Sequence, residues 1–271
     1  MAKDSNYVLS VGKQFEERLM RLNAFSNPYS AAFVLRNGLK KGDCVLDVGC
    51  GIGEFTCWLA EQVGPKGQVI AIDISTEQLE LAKRRANERK LANIQFVELS
   101  IYELATMNQQ FDVVYSRYVI DHVVEQQRAL QAMSQVMRDG GIMCCESSAI
   151  NTRTAFSYPT IPARDILHQW FDSLRRLTIY NSELGLRLPS MMRQLNLQQI
   201  SIDIVQPTLK TYYQREHELL ILDECRQSFV DQGLTTQGEI ETIRKTIAAA
   251  IANEKIEFFW FKVAQVSAVK S

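Results

Sequence analysis

Short apolar runs alternate with amphipathic stretches through the first half of the chain. "CVLDV" (44–48) is apolar but for one Asp, the pattern of a strand buried on both faces. "FTCWLAEQV" (55–63) has helical spacing and "QVIAI" (68–72) reads as a second strand. "STEQLELAKRRANERK" follows as an amphipathic helix, opened by a capping box of Ser75 with Gln78 three residues on. "IQFVE" (94–98) and "DVVYS" (112–116) read as a third and a fourth strand. "QQRALQAMSQVMR" reads as a helix, Asp139-Gly140-Gly141 as a turn, and "IMCCES" (142–147) as a fifth strand. Strand and helix in strict alternation imply a parallel sheet with helices on both faces.

The second half has a different texture. "SSAINTRTAFSYPTIP" is long, polar and irregular; a helix is expected over 162–178 and a short one after Pro189. "QISIDIV" (199–205) alternates like a strand. A long helical stretch, about 212–252, breaks near Gly233 and restarts on a capping box, Thr236 with Glu239. "IEFFWFKVAQV" (256–266) reads as one final, aromatic-rich strand. At the other end, "VGKQFEERLMRLNAF" puts Phe15, Leu19 and Leu22 on one helical face, and a second helix is expected from Asn27 with Pro28 in its first position. The resulting division is an N-terminal helical cap (1–40), an α/β core (41–150), further cap helices (151–198), and C-terminal strands (199–271) with a helical insertion at 207–254. The added helices are expected over the carboxyl ends of the strands, where open α/β sheets bind ligands.

Composition narrows the function classes. The 271 residues are 46% hydrophobic and 23% charged, an ordinary globular balance. Thirty Lys and Arg against 31 Asp and Glu leave no basic surplus, which counts against nucleic acid as the main partner. "MAKDSNYVLS" has no long apolar core, and no apolar run approaches the ~20 residues of a membrane span. The six cysteines (Cys44, Cys50, Cys57, Cys144, Cys145, Cys225) form no C-x-x-C pair, and only three histidines are present, so no metal site is expected. A reducing, cytoplasmic setting fits this cysteine usage.

The chemistry lies in "VLDVGCGIGE" (45–54), a strand running into a glycine turn. Such a turn aims backbone N–H groups and a helix N-terminus at a ligand. A pyrophosphate cradle has the spacing G-x-G-x-x-G, whereas Gly49-Cys50-Gly51-Ile52-Gly53 is G-x-G-x-G, followed by Glu54. Acids at Asp47 and Glu54 would repel a phosphate, and Asp47 would attract an ammonium group. Asp73 closes "QVIAID" twenty residues after Gly53, the place for an acid that accepts both hydrogen bonds of a ribose diol. A nucleoside with a cationic, amino-acid-like tail fits both, and S-adenosylmethionine has that shape.

With "VLDVGCGIGEFT", "VIAIDISTEQLELAK", "FDVVYSRYVIDHV" and "MRDGGIMCCES" in that order, residues 40–150 resemble the class I S-adenosylmethionine-dependent methyltransferases. "YVLSVGKQFEERLMRL" and the strands after residue 198 look like a broad bacterial branch acting on small molecules. The resemblance implies an α/β fold: a doubly wound, mostly parallel seven-stranded sheet, helices on both faces, and an added helical cap. It implies that Gly49, Cys50 and Gly51 line the methionine part of the cofactor, with Asp47 near its ammonium group. Asp73 would hold the ribose hydroxyls and Ile74 would pack on the adenine. Ser100 stands where the family often has an adenine-binding Asp, and Ile101 would cover the ring. Ser116 and Arg117 would meet the cofactor largely through backbone.

Methyl transfer from a sulfonium is an in-line displacement that asks mainly for alignment and exclusion of water. A base is needed only where the acceptor must lose a proton. Glu146, at the end of the fifth strand, is the acid best placed to face the donor methyl, with a solvated strand-end acid as the rival reading. Tyr158, in the irregular "SYPT", is expected to face the methyl from the open side, and His122 to meet substrate or make a structural hydrogen bond. His168 and His217 fall in the cap. The reading is a methyltransferase acting on a small molecule, with oxygen, nitrogen and carbon open as acceptor atoms and the oligomeric state undetermined. Its rivals are a methyltransferase acting on RNA or protein, and a non-catalytic module that binds S-adenosylmethionine.

Overall fold

The computed structural model describes residues 16–149, 154–178 and 180–271. Phe15 and the segment before it lie outside the described residues. The chain opens on helix α1 (Glu16–Arg36) and then alternates: β1 (Cys44–Val48), α2 (Glu54–Val63), β2 (Gln68–Asp73), α3 (Thr76–Glu88), β3 (Ile94–Glu98), β4 (Phe111–Arg117), α4 (Gln126–Gln135) and β5 (Met137–Ser148). Two 3-10 turns, Ile101–Met107 and Ile120–His122, follow β3 and β4. Then come β6 (Phe156–Tyr158), α5 (Pro162–Arg175), α6 (Leu184–Arg193), β7 (Gln198–Val205), β8 (Thr208–Leu209), α7 (Tyr212–Arg215), α8 (His217–Asp231), α9 (Gln237–Ile251), β9 (Glu257–Phe259) and β10 (Val263–Val269).

The main sheet has seven strands in the order β3-β2-β1-β4-β5-β10-β7. The first five pair in parallel, and β10 lies antiparallel to both β5 and β7. Strand order reverses between β1 and β4, so the crevice at their carboxyl ends is the topological switch point. One face of the sheet packs Leu46, Val48, Ile70, Val114 and Cys145 against α4 and α6. The other packs Val45, Val69, Val113 and Tyr115 against Phe33 of α1 and Phe55 and Leu59 of α2. A third core fills the helical cap, where Phe171, Leu222, Phe229, Phe258, Trp260 and Phe261 meet Phe25 of α1.

Four local expectations change. The N-terminal helix is single and runs through Pro28 instead of restarting at it. Proline denies Ala24 its helical hydrogen bond, and Gln214 Nε2 supplies a substitute at 2.9 Å from the Ala24 carbonyl. Pro189 likewise lies inside α6. The Asp139-Gly140-Gly141 turn is instead part of β5: Gly140 takes φ 74°, and Gly140 and Gly141 exchange backbone hydrogen bonds with Lys270. The aromatic run at 256–266 is two strands. β9 joins β6 and β8 in a separate three-stranded sheet, where Phe156 stacks on its cross-strand partner Phe259 at 4.4 Å. Trp260 and Phe261 then leave the ladder to fill the cap core before β10 begins. An apolar run that serves two cores in succession looks, as a pattern, like one long strand.

Gly53 is where the fold tolerates least. It sits at φ 73°, and a Cβ there would stand 2.6 Å from the Ala82 side chain of α3. Gly53→Ala therefore combines a left-handed backbone with overlap. It is expected to lower stability by roughly 2–4 kcal/mol in urea denaturation. A loss below ~1 kcal/mol would show that α3 can retreat.

Candidate active site

The turn after β1 is wound from residues in left-handed conformation, Gly49 at φ 72°, Gly51 at 54° and Gly53 at 73°. A Cβ on Gly49 would overlap Val119, just past β4, whereas one on Gly51 would point into open space. The turn is anchored at its base by the Gly49 and Cys50 amides, which donate to the Ile72 carbonyl at 2.8 and 2.9 Å. Asp73 then accepts from Gly51 N through one oxygen and from Ser75 N through the other, both at 2.9 Å. Arg85 of α3 donates to the Ile52 carbonyl and pairs with Glu54 at 2.9 Å and Glu16 at 2.8 Å. Glu54 is thus drawn toward α3, where Arg89 also pairs with it, and does not face the turn.

Asp47 is buried in β1 and accepts from Thr56 Oγ1 at 2.6 Å. Burial pushes its pKa up to about 6, against the opposing pull of the Thr56 hydrogen bond and the Arg117 charge. Burial also raises Asp73, while the amides of Ser75, Gly51 and Ile74 hold it down. Two carboxylates therefore flank the glycine turn under an unfavourable desolvation that a cation or hydroxyl donors would relieve. A carboxylate offers about four lone-pair sites, so Asp73 keeps capacity beyond its two amides.

The other predicted cofactor residues lie around this turn or near it. Ile74 is 58% exposed, an apolar side chain left open at the end of β2. Ser100 caps the turn that starts at Ile101, accepting from Tyr102 N, and Ile101 is buried beneath it. The Ser116 hydroxyl is buried with no hydrogen-bond partner among the described residues. Arg117 turns to α1, donating to Asn27 at 3.0 Å, Ser30 at 2.8 Å and Asn23 at 2.6 Å. Its side chain thereby docks the N-terminal helix along the strand ends. A cavity of about 360 Å³ opens between α1 and α2, lined by Asn23, Asn27, Glu54, Trp58 and Tyr213.

The predicted catalytic trio is not brought together. Glu146 is 4% exposed and bracketed inside the sheet, accepting from Tyr115 Oη at 2.6 Å and from Gln265 Nε2 at 2.9 Å. It lies on the face covered by α1, and each of its oxygens is held by one buried polar neighbour. Tyr158 is 73% exposed on the edge strand β6. The two expected partners thus stand apart, Glu146 inside the sheet and Tyr158 on an exposed edge. His122 does end the 3-10 turn after β4, its ring 4.9 Å from that of Tyr180. Burial and the Arg175 charge hold its pKa down at about 3, so it is neutral at ordinary pH. His168 and His217 belong to the cap: His168 faces the buried Glu218–Arg164 pair, and His217 contacts the Arg18 carbonyl.

Sequence reasoning missed Thr56, Arg85, Asn23 and Asp121. Arg85 had a readable signal, since it falls on the buried stripe of α3 with Leu81, Ala82 and Ala86. The others depend on which helix meets which strand end. The remaining thiols are inert by placement: burial raises the pKa of Cys57 and Cys225 to about 11 and 12, and pushes the Cys144 thiol up further. No cluster of metal-ligating side chains occurs among the described residues, and none of their helices is long and apolar enough to cross a membrane.

Comparison with known proteins adds identity to this geometry. A family described as "Methyltransferase domain" matches residues 39–210. The chain is 31% identical over 173 residues to a demethylmenaquinone methyltransferase of Lactococcus lactis, covering 58% of this chain and 65% of that protein. It spans from about half to just under two thirds of the curated relatives it matches. Among solved structures, the YcgJ protein of Bacillus subtilis superposes with a TM-score of 0.56 at 16% identity, covering 89% of this chain and 98% of that one. Phosphoethanolamine N-methyltransferase 2 of Haemonchus contortus, solved with S-adenosylhomocysteine, gives 0.52 at 18% identity, covering 94% and 52%. At these identities the two structures speak for the fold alone.

The bracketed position of Glu146 has a measurable consequence. Glu146→Ala strands Tyr115 Oη and one Gln265 N–H inside the sheet, each costing roughly 1–3 kcal/mol. Chemical denaturation should show a loss of about 3 kcal/mol. A variant as stable as its parent but impaired in methyl transfer would restore Glu146 to the chemistry.

Proposed function

The chain belongs to the S-adenosylmethionine-dependent methyltransferases, and on that premise we propose that it methylates a small molecule held between the glycine turn and the helical cap. The single observation that carries this reading is the pairing of a preorganised turn with an aromatic cap core at the same strand ends. The curated relatives named demethylmenaquinone methyltransferase act, by name, on a small molecule, which supports the same acceptor class.

S-adenosylmethionine, when bound, supplies an electrophilic methyl group on a sulfonium. In our reading the chain's residues then do three things. Asp47 neutralises the ammonium end, and the open side of Gly51 with Gly49 and Cys50 admits the methionine backbone. Asp73 accepts from the ribose hydroxyls with lone pairs left over from Gly51 and Ser75, while Ile74 and Ile101 sandwich the adenine and Ser100 borders it. Ser116 and Arg117 close the strand-end side, Arg117 by holding α1 down against water. The fit rests on the open space at Gly51 and on the burial of Asp47 and Asp73 beside it. Alignment and dryness are the main demands of this displacement. Thirty Lys and Arg against 31 Asp and Glu leave no basic surplus, which favours a small acceptor over RNA.

Two measurements follow. Binding of the ammonium group needs Asp47 ionised, and its pKa in the ligand-free protein is raised to about 6. From pH 7 to pH 5 the ionised fraction falls from about nine tenths to one tenth, so calorimetry should show S-adenosylhomocysteine affinity dropping about tenfold. A flat profile removes Asp47 from the site. Asp73→Ala deletes charge-assisted hydrogen bonds worth about 1.5–3 kcal/mol each, and should weaken S-adenosylhomocysteine at least ~10-fold. An unchanged dissociation constant would place the ribose elsewhere.

A further inference from the structure

Past β4, the segment 118–122 leaves the sheet under strain and crosses the donor turn. Tyr118 takes φ 57°, uncommon for a bulky residue, and Val119 occupies the space that a Cβ on Gly49 would need. Asp121 follows, fully buried. Its Oδ1 accepts from Ser147 Oγ at 2.6 Å and from Ser148 N at 3.3 Å. Its Oδ2 is equally buried and has no hydrogen-bond partner among the described residues.

A complementary orphan lies close by. Arg175, near the end of α5, spreads its guanidinium over Tyr180 at 4.1 Å and over Phe171 at 4.3 Å, with Phe261 at 5.8 Å. Its Nη1 is buried with no hydrogen-bond partner among the described residues. Tyr180 connects the two groups: its hydroxyl bonds Ser148 Oγ, and its ring meets His122. A buried acceptor without a donor and a buried donor without an acceptor each carry a desolvation cost. They do not satisfy one another, and the walls around them are aromatic: Tyr118, Tyr180 and Phe261.

We propose that Asp121 and Arg175 recognise the methyl acceptor, and that the acceptor is an aromatic or enolic compound bearing an acidic hydroxyl. One such hydroxyl satisfies both orphans at once, donating to Asp121 Oδ2 while its oxygen accepts from Arg175 Nη1. In the reacting complex the O–H bond breaks, the proton passes to Asp121, and the electron pair stays on the acceptor oxygen, stabilised by Arg175. The resulting anion is the nucleophile: its oxygen, or a ring carbon conjugated with it that afterwards gives up its own proton to solvent, would bond the methyl carbon as the donor's carbon–sulfur bond breaks and the electron pair leaves on sulfur. Burial supports the role, because it pushes the Asp121 pKa up to about 7, suited to taking a proton near neutrality. This inference rests on the donor site proposed above and adds the acceptor side to it.

The test uses 1-naphthol and its methyl ether, 1-methoxynaphthalene, titrated into the full chain saturated with S-adenosylhomocysteine. The pair differs in the donated proton. The wild type should bind the naphthol at least tenfold more tightly than the ether. Asp121→Asn should reduce that preference below threefold while leaving S-adenosylhomocysteine affinity within threefold. A second readout needs no variant: the wild-type preference should shrink as pH falls below about 7, where Asp121 takes up its proton. Among the described residues, the titratable and charged groups facing Asp121 are Tyr118 after β4, its neighbour His122, Cys145 on β5, Arg175 on α5 and Tyr180. Of these His122 is already neutral, with a pKa of about 3, and burial holds the Cys145 thiol and the Tyr118 phenol protonated, so Asp121 is the carboxyl whose charge changes there. Absence of naphthol binding, no preference in the wild type, a preference retained by Asp121→Asn, or a preference independent of pH would each overturn the proposal. Failure to bind S-adenosylhomocysteine at all would instead sink the donor site beneath it.

Discussion

Everything at the strand ends depends on holding five residues, Gly49 to Gly53, in a turn whose three glycines are left-handed. Such a turn exposes amide groups that water would otherwise claim, and glycine gives it no side-chain packing of its own. Its neighbours hold it instead. The Ile72 carbonyl takes the Gly49 and Cys50 amides, Asp73 takes the Gly51 amide, and Arg85 takes the Ile52 carbonyl. Arg85 is itself shared between Glu54 of α2 and Glu16 of α1, so one guanidinium couples the turn to three helices. The turn's shape is therefore a property of the assembled core and not of the glycines alone.

The same region stores unfavourable charge. Asp47 and Asp121 are buried carboxylates with pKa raised to about 6 and about 7, at the ends of the two strands that flank the switch point. A raised carboxylate pKa means the folded state holds its proton more tightly than the unfolded chain does. The stability this contributes is fully present below the ordinary carboxylate range and is lost as pH rises through about 6 and 7. At neutral pH the ligand-free protein keeps these groups at a cost, as expected where burial serves binding and not folding. Glu146 shows the contrast: an equally buried acid on the same sheet, with a hydrogen bond at each oxygen, that ties β4 to β10.

Much of this was legible in the sequence, and the exceptions share a cause. Strand alternation, the glycine turn, Asp73 at the end of β2 and the capping box at Thr236 are local patterns, and local chemistry accounts for them. Pro28 misled because its helix-breaking effect is offset by Gln214, which lies 186 positions downstream. The run at 256–266 misled because two cores share one apolar stretch. Glu146 is read from its strand-end position and Tyr158 from its irregular segment, and neither pattern says which way a side chain turns. Asp121 looked ordinary inside "YVIDHV"; its open oxygen becomes visible only when β5 and α5 close around it.

The central claim is that the turn between β1 and α2 is the donor site, and a crystal structure with S-adenosylhomocysteine tests it most directly. If the claim holds, the amino group lies within hydrogen-bond reach of the Asp47 and Gly49 region, the ribose hydroxyls bond Asp73, and the sulfur faces segment 118–122. Nucleoside density in the cavity between α1 and α2, with Asp73 still bonded only to Gly51 and Ser75, would contradict it.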